Sequence, residues 1–513
     1  SISVTISLLW QVQQMQLLVS ILTIYLTIVL LRSWPLQRFC NAKVVSSILR
    51  AQLANDPPAL DLLNQLTDVT AQLSTLAYNS SVDPTSAVYQ SERNELQQRI
   101  RDLEDDLSRR SPEFADLTNS PALAKIKDAL PSETALVEFI RYRPFDPKAP
   151  LQNRFGEERY AAYVLKPDGT LQGVDLGSAA ELEPLITDAM FATRTPRIRI
   201  SQVKEATQAL YQQLFDKLTP YLADADNLLI SPDGALNLIP FEALATEDGS
   251  YLVEDVQISY LTSGRDLVRL QQESQSSQPP VVMVNPIFGQ PSQQATESFR
   301  LNSLQSLSFP PLSATADEGS AIASVLEGAK LYEGTQATEA RLKQSASSKI
   351  LHLATHGFFL TNEDEIQNPL LRSGLVLSGF RDGDSGNGED GILTALEVTG
   401  FNLSGNELVV LSACETGLGD ISAGEGVYGL RRAFVLAGSR TQLISLWKVP
   451  DEPTKDLMVA YYQRLRDGEG RGEALRQTQL EMLRDEATAH PYYWAPFIQS
   501  GDWRSIDDLN AID

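Results

Sequence analysis

Two short apolar runs, each stopping abruptly at polar and small residues, constrain the fold of this chain most. The first covers residues 350–355 and is followed by His356; the second covers residues 408–411 and is followed closely by Cys414. Such runs are typical of strands buried on both faces in a parallel sheet. The 58 positions that separate His356 from Cys414 leave room for a crossover helix between parallel neighbours. The pattern therefore predicts an α/β fold with a mainly parallel sheet.

His356 and Cys414 have the residue types of an activated thiol nucleophile. Both would lie outside the carboxyl ends of neighbouring strands, where chemistry collects in open α/β sheets. A thiol nucleophile needs a nearby imidazole and N–H donors aimed at the developing oxyanion. The backbone N–H groups of Gly357 and Cys414 are the candidate oxyanion donors, because glycine lets the chain pass close to a substrate. The alternative is that Cys414 is an inert thiol packed in the core.

The other two histidines favour structural roles. His352 lies further inside the same strand as His356, which predicts a packed and hydrogen-bonded side chain. His490 precedes a proline in an aromatic-rich tail and is given a structural role too. With three histidines and two cysteines, none at ligand spacing, the sequence predicts no zinc site, and we expect no cofactor.

The residues around the candidate pair resemble the CHAT-domain family, which belongs to the caspase-like clan of cysteine peptidases. The resemblance begins with Thr355-His356-Gly357 and with Ser412-Ala-Cys414-Glu-Thr-Gly417. Three further phrases occur in the same order as in that family, beginning at Gly391, Gly424 and Ser445. The similarity covers roughly residues 131–505, which is most of the chain. It implies a caspase-like fold, with a mainly parallel central sheet flanked by helices and preceded by a helical N-terminal region.

The resemblance also implies an activity, namely a cysteine endopeptidase that cleaves protein substrates through Cys414, His356 and an acyl-enzyme. No third catalytic residue can be assigned from the sequence. Two alternatives stay open. One is a non-catalytic protein-interaction or signalling module that keeps the fold, and the other is an acyl transferase or hydrolase that uses the same pair.

Asp451 is the candidate substrate-binding residue. Its position resembles that of the acidic residue that receives the substrate's arginine in separases, 37 residues after the cysteine. A carboxylate there favours Arg or Lys before the scissile bond. The alternative is a surface aspartate that caps a helix starting near Pro453. A caspase-type preference for aspartate would need a basic pocket, and the segment 445–451 contains only one basic residue, Lys448.

Charge and cysteine content limit the partners and the compartment. The chain has 513 residues, with 42 Lys and Arg against 66 Asp and Glu, and a formal charge of −24. Nucleic-acid binding is therefore not expected, because it needs clustered basic residues. We expect protein or peptide substrates, together with a regulatory protein partner. Two cysteines cannot form a disulfide framework, which indicates a reducing, cytoplasmic setting.

The chain divides into three parts that differ in residue composition and in the spacing of apolar residues. Residues 1–41 are apolar, and the 17 residues 15–31 reach the lower limit for a membrane span, with Arg32 following immediately. They predict a membrane anchor that leaves the rest of the chain in the cytoplasm. The alternatives are a buried helix and a wrongly assigned start of the sequence. Residues 42–130 predict helices, including one amphipathic helix over 87–110. Residues 131–510 predict the CHAT peptidase domain, whose halves 131–270 and 281–510 are joined by a polar linker.

Residues 361–390 predict a mobile loop beside the site. The stretch 381–390 is acidic, but its spacing departs from the helix-loop-helix calcium pattern. A solvated acidic loop is the favoured interpretation, and a calcium site is the alternative.

Overall fold

The computed structural model describes residues 56–78, 86–110, 123–146, 148, 150, 154–272, 276, 278–289, 309–360, 369–381, 384–412 and 425–506. The membrane-span candidate over 15–31, Cys40 and Cys414 lie outside these residues. None of the described helices has both the length and the apolar character that crossing a membrane requires.

Two long helices, α1 (Pro57–Tyr78) and α2 (Ala87–Arg110), pack against each other ahead of the sheet. Each begins at a residue whose side chain accepts a hydrogen bond from the first turn. Asp56 Oδ1 lies 3.2 Å from the Ala59 nitrogen, and Ser86 Oγ lies 3.2 Å from the Tyr89 nitrogen. Such caps satisfy backbone donors that the helix itself leaves unpaired. The predicted helix over 87–110 is confirmed.

A single sheet of eleven strands runs through the described part of the chain. The strands are β1 Thr134–Tyr142, β2 Arg159–Leu165, β3 Leu171–Ser178, β4 Asn227–Ser231, β5 Gln257–Tyr260, β6 Val281–Val284, β7 Lys330–Glu333, β8 Ile350–Ala354, β12 Leu408–Leu411, β13 Thr441–Ser445 and β14 Phe497–Gly501. Their order in the sheet is β3-β2-β1-β4-β5-β14-β13-β12-β8-β6-β7. The pairs β1–β2, β2–β3 and β13–β14 are antiparallel and the other pairs are parallel.

A smaller antiparallel sheet of three strands stands beside the large one, in the order β11-β10-β9. Its strands are β9 His356–Phe359, β10 Ser373–Val376 and β11 Ile392–Thr394. The prediction of a loop throughout 361–390 is wrong for β10, whose four residues are all buried between the two neighbouring strands. Gly374 permits this close packing, since a Cβ there would lie 2.5 Å from the Leu393 carbonyl oxygen.

Helices cover the large sheet, as the alternation of predicted elements indicates. Leu, Val and Ile residues of the central strands are almost entirely buried under them. The helices are α3 Leu123–Asp128, α4 Ala179–Arg194, α5 Ile200–Phe215, α6 Thr219–Leu222, α7 Leu252–Asp255, α8 Arg265–Arg269, α9 Ala314–Val325, α10 Glu339–Gln344, α11 Ala395–Val398, α12 Glu425–Ala437, α13 Asp451–Arg466, α14 Arg471–Arg484 and α15 Pro491–Trp494. The predicted fold class, a mainly parallel sheet flanked by helices after a helical region, is confirmed.

The two halves of the chain are joined through β14. This last strand pairs with β13 on one side and with β5 of the first half on the other. A buried hydrogen bond of 2.7 Å from Ser259 Oγ to Gln499 Oε1 crosses the same junction. The sheet is therefore continuous from one half to the other.

Candidate functional site

His356 lies where the chain leaves the large sheet and enters the small one. Strand β8 ends at Ala354, and the Thr355 hydroxyl donates a hydrogen bond to the Val376 carbonyl oxygen on β10. His356 then opens β9 and pairs in register with Val376. Its side chain is 6 % exposed. The histidine is therefore held at the carboxyl edge of the parallel sheet, as predicted from the end of its strand.

Three residues from outside β8 and β9 fix the His356 ring. Its Nε2 atom lies 2.9 Å from the Pro310 carbonyl oxygen, which can only accept a hydrogen bond. In the neutral ring the proton is therefore on Nε2, and Nδ1 carries the lone pair. The rings of Phe288 and Phe309 lie 5.3 and 5.5 Å from the imidazole, measured between centroids. The ring is thus set in an apolar surround with its tautomer determined by a backbone group.

Strand β12, which precedes Cys414 in the sequence, ends at the same carboxyl edge of the sheet as β8. It runs parallel to β8, and Leu411 pairs with Leu353. The next residue, Ser412, donates its N–H to the Leu353 carbonyl oxygen at 3.0 Å, so the chain still follows β8 at that point. Cys414 comes two residues later and lies outside the described residues.

The register of the small sheet determines where the Gly357 N–H points. Leu360 donates its N–H to the Arg372 carbonyl oxygen at 2.8 Å, and hydrogen-bonded pairs alternate along antiparallel strands. Counting back from that pair, His356 and Phe358 are the residues bonded to β10. The pair of Gly357 with Leu375 is a non-hydrogen-bonded one. Because β9 is the outer strand, the Gly357 N–H points away from β10.

Asp451 is the first residue of α13, and its side chain is exposed. The preceding strand, β13, pairs with β12, so this segment leaves the sheet at the same edge as Ser412. The helix begins at Asp451 itself and not near Pro453, and its capping position is Pro450, without a side-chain cap hydrogen bond. The capping role considered as the alternative for Asp451 is therefore wrong, although a carboxylate in the first helical turn is still favoured by the helix dipole.

The structural roles predicted for His352 and His490 are confirmed. His352 is fully buried, with Nδ1 3.2 Å from the Tyr462 hydroxyl and Nε2 3.2 Å from Glu318 Oε1. His490 accepts the Tyr492 N–H through Nδ1, and its Nε2 lies 3.0 Å from the Ile198 carbonyl oxygen. Burial lowers the pKa of His490.

One group of carboxylates in the described residues has the spacing of a metal site, with ligand oxygens of Glu339, Glu389 and Glu397 within 4.8 Å of one another. The Lys343 ammonium lies among them, at 2.8, 2.6 and 3.2 Å respectively. A bound divalent cation would be placed against this charge. The arrangement is therefore that of a lysine neutralised by three carboxylates, two of which lie outside the acidic stretch 381–390.

The Pro310 carbonyl and the two phenylalanines are the parts of the site that the sequence motifs do not indicate. A backbone carbonyl has no residue-type signal, because every residue carries one. Phe288 and Phe309 look like ordinary core residues in the sequence. Only the fold brings them to His356.

The profile of the CHAT domain matches residues 204–502, more than half of the chain. The chain belongs to the CHAT-domain family. Membership supports the caspase-like fold class that the resemblance implied. The match begins inside α5, further along the chain than the similarity expected from residue 131.

Two curated relatives of this CHAT-domain chain carry tetratricopeptide repeats by name. Tetratricopeptide repeat protein 28 of Homo sapiens is 25 % identical over 351 residues, covering 62 % of this chain and 14 % of that protein. The Mus musculus protein of the same name is 31 % identical over 121 residues, covering 24 % and 5 %. The chain thus corresponds to a small part of these relatives.

Two solved structures are similar to this chain at low sequence identity. The separase of the Saccharomyces cerevisiae separase–securin complex is 10 % identical, with a TM-score of 0.45 and coverage of 86 % of this chain and 37 % of that one. The Arg-specific cysteine proteinase gingipain R is 10 % identical, with a TM-score of 0.37 and coverage of 64 % and 76 %.

Proposed function

We propose that this CHAT-domain chain is a cysteine endopeptidase in which Cys414 is the nucleophile and His356 its acid–base partner. The observation that carries the proposal is the hydrogen bond between His356 Nε2 and the Pro310 carbonyl oxygen. In the neutral ring this hydrogen bond keeps the proton on Nε2, so that Nδ1 is the basic atom. The location of the imidazole at the carboxyl edge, beside the strand that leads to Cys414, also supports the proposal.

The proposed reaction has two stages. His356 Nδ1 takes the proton of the Cys414 thiol, and the thiolate attacks the carbonyl carbon of the scissile peptide bond. The imidazolium, whose Nε2–H stays on the Pro310 carbonyl, then gives a proton to the departing amine. A thioester remains on Cys414. Water, deprotonated by His356, attacks that thioester and releases the acid product and the thiol.

The oxyanion of each tetrahedral intermediate is proposed to bind the N–H groups of Gly357 and Cys414. The register of β9 supports the first of these donors, because the Gly357 N–H is not used in pairing with β10. Removing one such donor typically costs about 10²–10³ in rate.

The test is a comparison of single-residue variants with a thiol-reactive peptidyl probe and a peptide-library cleavage assay. Cys414→Ala is expected to abolish both labelling and cleavage, and His356→Ala to abolish cleavage and to slow labelling at neutral pH. Cys40→Ala is the matched control, since the chain has two cysteines. It should keep both activities.

If Cys414→Ala cleaves peptides as well as the unaltered protein, the proposal is wrong. If the unaltered protein labels on Cys414 but cleaves no member of the library, another acyl-transfer reaction replaces peptide hydrolysis. If Cys414 is not labelled at all and nothing is cleaved, the non-catalytic interaction module is the better description.

We further propose that Asp451 selects a basic residue before the scissile bond. Its exposed carboxylate at the edge shared with β12 supports this, because a guanidinium can bind a carboxylate through two parallel hydrogen bonds. Cleavage is expected after Arg or Lys, and Asp451→Asn should reduce it by about tenfold or more.

Glu452→Gln is the matched control for Asp451→Asn, since Glu452 is the next residue of the same helix and is also exposed. It should leave the cleavage profile unchanged. A profile dominated by aspartate or by apolar residues before the cut would contradict the assignment of Asp451.

A further inference from the structure

A cavity of about 290 Å³ lies at the amino ends of β6 and β7, at the edge of the sheet opposite to His356. Val281 and Lys330, which begin these two strands, line it together with the C-terminal part of α10. Ligand pockets span about 300–1,000 Å³, so this one suits a small ligand or a single chemical group. It is separate from the proposed peptidase site.

Two cations face this cavity, Lys330 and Arg341. Both residues are exposed, and neither forms an ion pair with a carboxylate of the described residues. Lys343, two residues after Arg341 in α10, is in contrast bound by three glutamates. The described lining of the cavity thus brings two cations and no carboxylate, in a chain with 66 acidic side chains.

The remaining lining is neutral and rich in hydrogen-bonding groups. It includes the residues Gln344, Ser345 and Ser347. Tyr332 supports Arg341, whose guanidinium carbon lies 4.7 Å from the centre of the tyrosine ring. Such a contact holds a guanidinium in place through cation–π attraction and leaves its N–H groups available.

We propose that this cavity binds a phosphate-sized oxyanion, either inorganic phosphate or the phosphate of a phosphorylated side chain. The guanidinium of Arg341 offers paired donors to two oxygens, and Lys330 supplies a point charge to a third. An anion placed between the two cations also removes their mutual repulsion. Among the described residues that line it there is no carboxylate, so these residues do not offer the ligands that a hard metal ion prefers.

The experiment is calorimetric titration of the full chain with inorganic phosphate, at constant ionic strength maintained with sodium chloride. Saturable binding is expected, and the double variant Lys330→Gln/Arg341→Gln should weaken it by about tenfold or more. Arg197→Gln/Arg199→Gln is the matched control, because it changes the net charge equally at two exposed arginines of the first half. Its affinity should equal that of the unaltered chain.

A capped phosphoserine peptide, titrated in parallel, distinguishes the two sources of the phosphate. Tighter binding of the peptide than of inorganic phosphate assigns the cavity to a phosphorylated side chain, and equal or weaker binding assigns it to the free anion. Absence of saturation with both ligands overturns the proposal. So does a loss of affinity in the cavity variant that is no larger than in the control.

Discussion

Glu242 is a buried carboxyl group that forms no ion pair with any residue in the described part of the chain. It lies in a short turn, Phe241–Ala243, and is 3 % exposed. Its Oε2 accepts a hydrogen bond of 2.6 Å from the Tyr260 hydroxyl, whereas Oε1 is buried without a hydrogen bond. Burial raises the pKa of Glu242 from 4.5 to about 7. The folded chain therefore holds a proton on Glu242 that the unfolded chain has already released at pH 5 to 7.

The sign and size of the effect follow from that difference in bound protons. Where the folded state binds more protons than the unfolded state, stability falls as pH rises. Between pH 5 and pH 8, pKa values of 4.5 and about 7 correspond to a loss of about 2.5 kcal/mol in the free energy of unfolding. Glu242→Gln removes this titration and keeps an acceptor for Tyr260.

The assay is urea denaturation of the unaltered chain and of Glu242→Gln at pH 5 and pH 8. The stability of Glu242→Gln relative to the unaltered chain should rise by about 2.5 kcal/mol over this interval. Any effect of the amide on the free energy of unfolding that does not depend on pH is the same at both pH values and cancels in that comparison. The contributions of the other titrating groups cancel too, because both proteins contain them. Glu247→Gln, the same change at an exposed position, is the control and should show no such rise. A relative stability that is independent of pH would refute the argument.

Two further predictions concern buried charges and can be checked by denaturant unfolding at pH 7. Asp502, 1 % exposed on its side chain, lies 2.8 Å from Arg504, 3.4 Å from Arg471 and 2.7 Å from Arg440, and these three arginines hold its pKa well below its usual range although burial raises it. Asp502→Asn should cost about 3 kcal/mol, and the cost should diminish as pH falls below about 4, whereas the exposed Asp467→Asn should cost almost nothing. His352→Phe should cost about 1–3 kcal/mol, because it leaves the buried Glu318 carboxyl without its imidazole neighbour. Labelling of Cys414 by the thiol probe should persist in that variant, and its loss would mean that His352 belongs to the reactive site.

Several strands of the large sheet could be predicted from the sequence because they are locally determined, whereas β3, β5 and β14 were not predicted. Runs such as 408–411 are continuous apolar strands, and the charge-laced stripe of 87–110 has helical spacing. The strand β10 could not be predicted in this way. Its sequence, Ser-Gly-Leu-Val, is short and contains a glycine, which is unfavourable in an isolated strand. It becomes a strand because β9 and β11 approach it closely from both sides.

In the candidate site, too, some features depend on neighbouring residues in the sequence and others on distant ones. The position of His356 at a strand end could be predicted, since it depends on where an apolar run stops. Its tautomer could not, because the Pro310 carbonyl comes from a segment 46 residues earlier in the chain and is a backbone group. A motif records the reacting side chains but not the backbone atoms that orient them.

The first half of the chain has a direct contact with the helix that follows Cys414. Helix α12 begins at Glu425, and its Arg431 is fully buried with Nη2 2.9 Å from Asn237 Oδ1. Asn237 belongs to the turn Gly234–Leu238, which follows β4 in the first half. This buried hydrogen bond links α12 to that turn of the first half, and its loss is expected to be costly because both groups are out of contact with water. Helix α12 begins eleven residues after Cys414 in the sequence, so the contact ties the first half to the part of the chain that follows the proposed nucleophile.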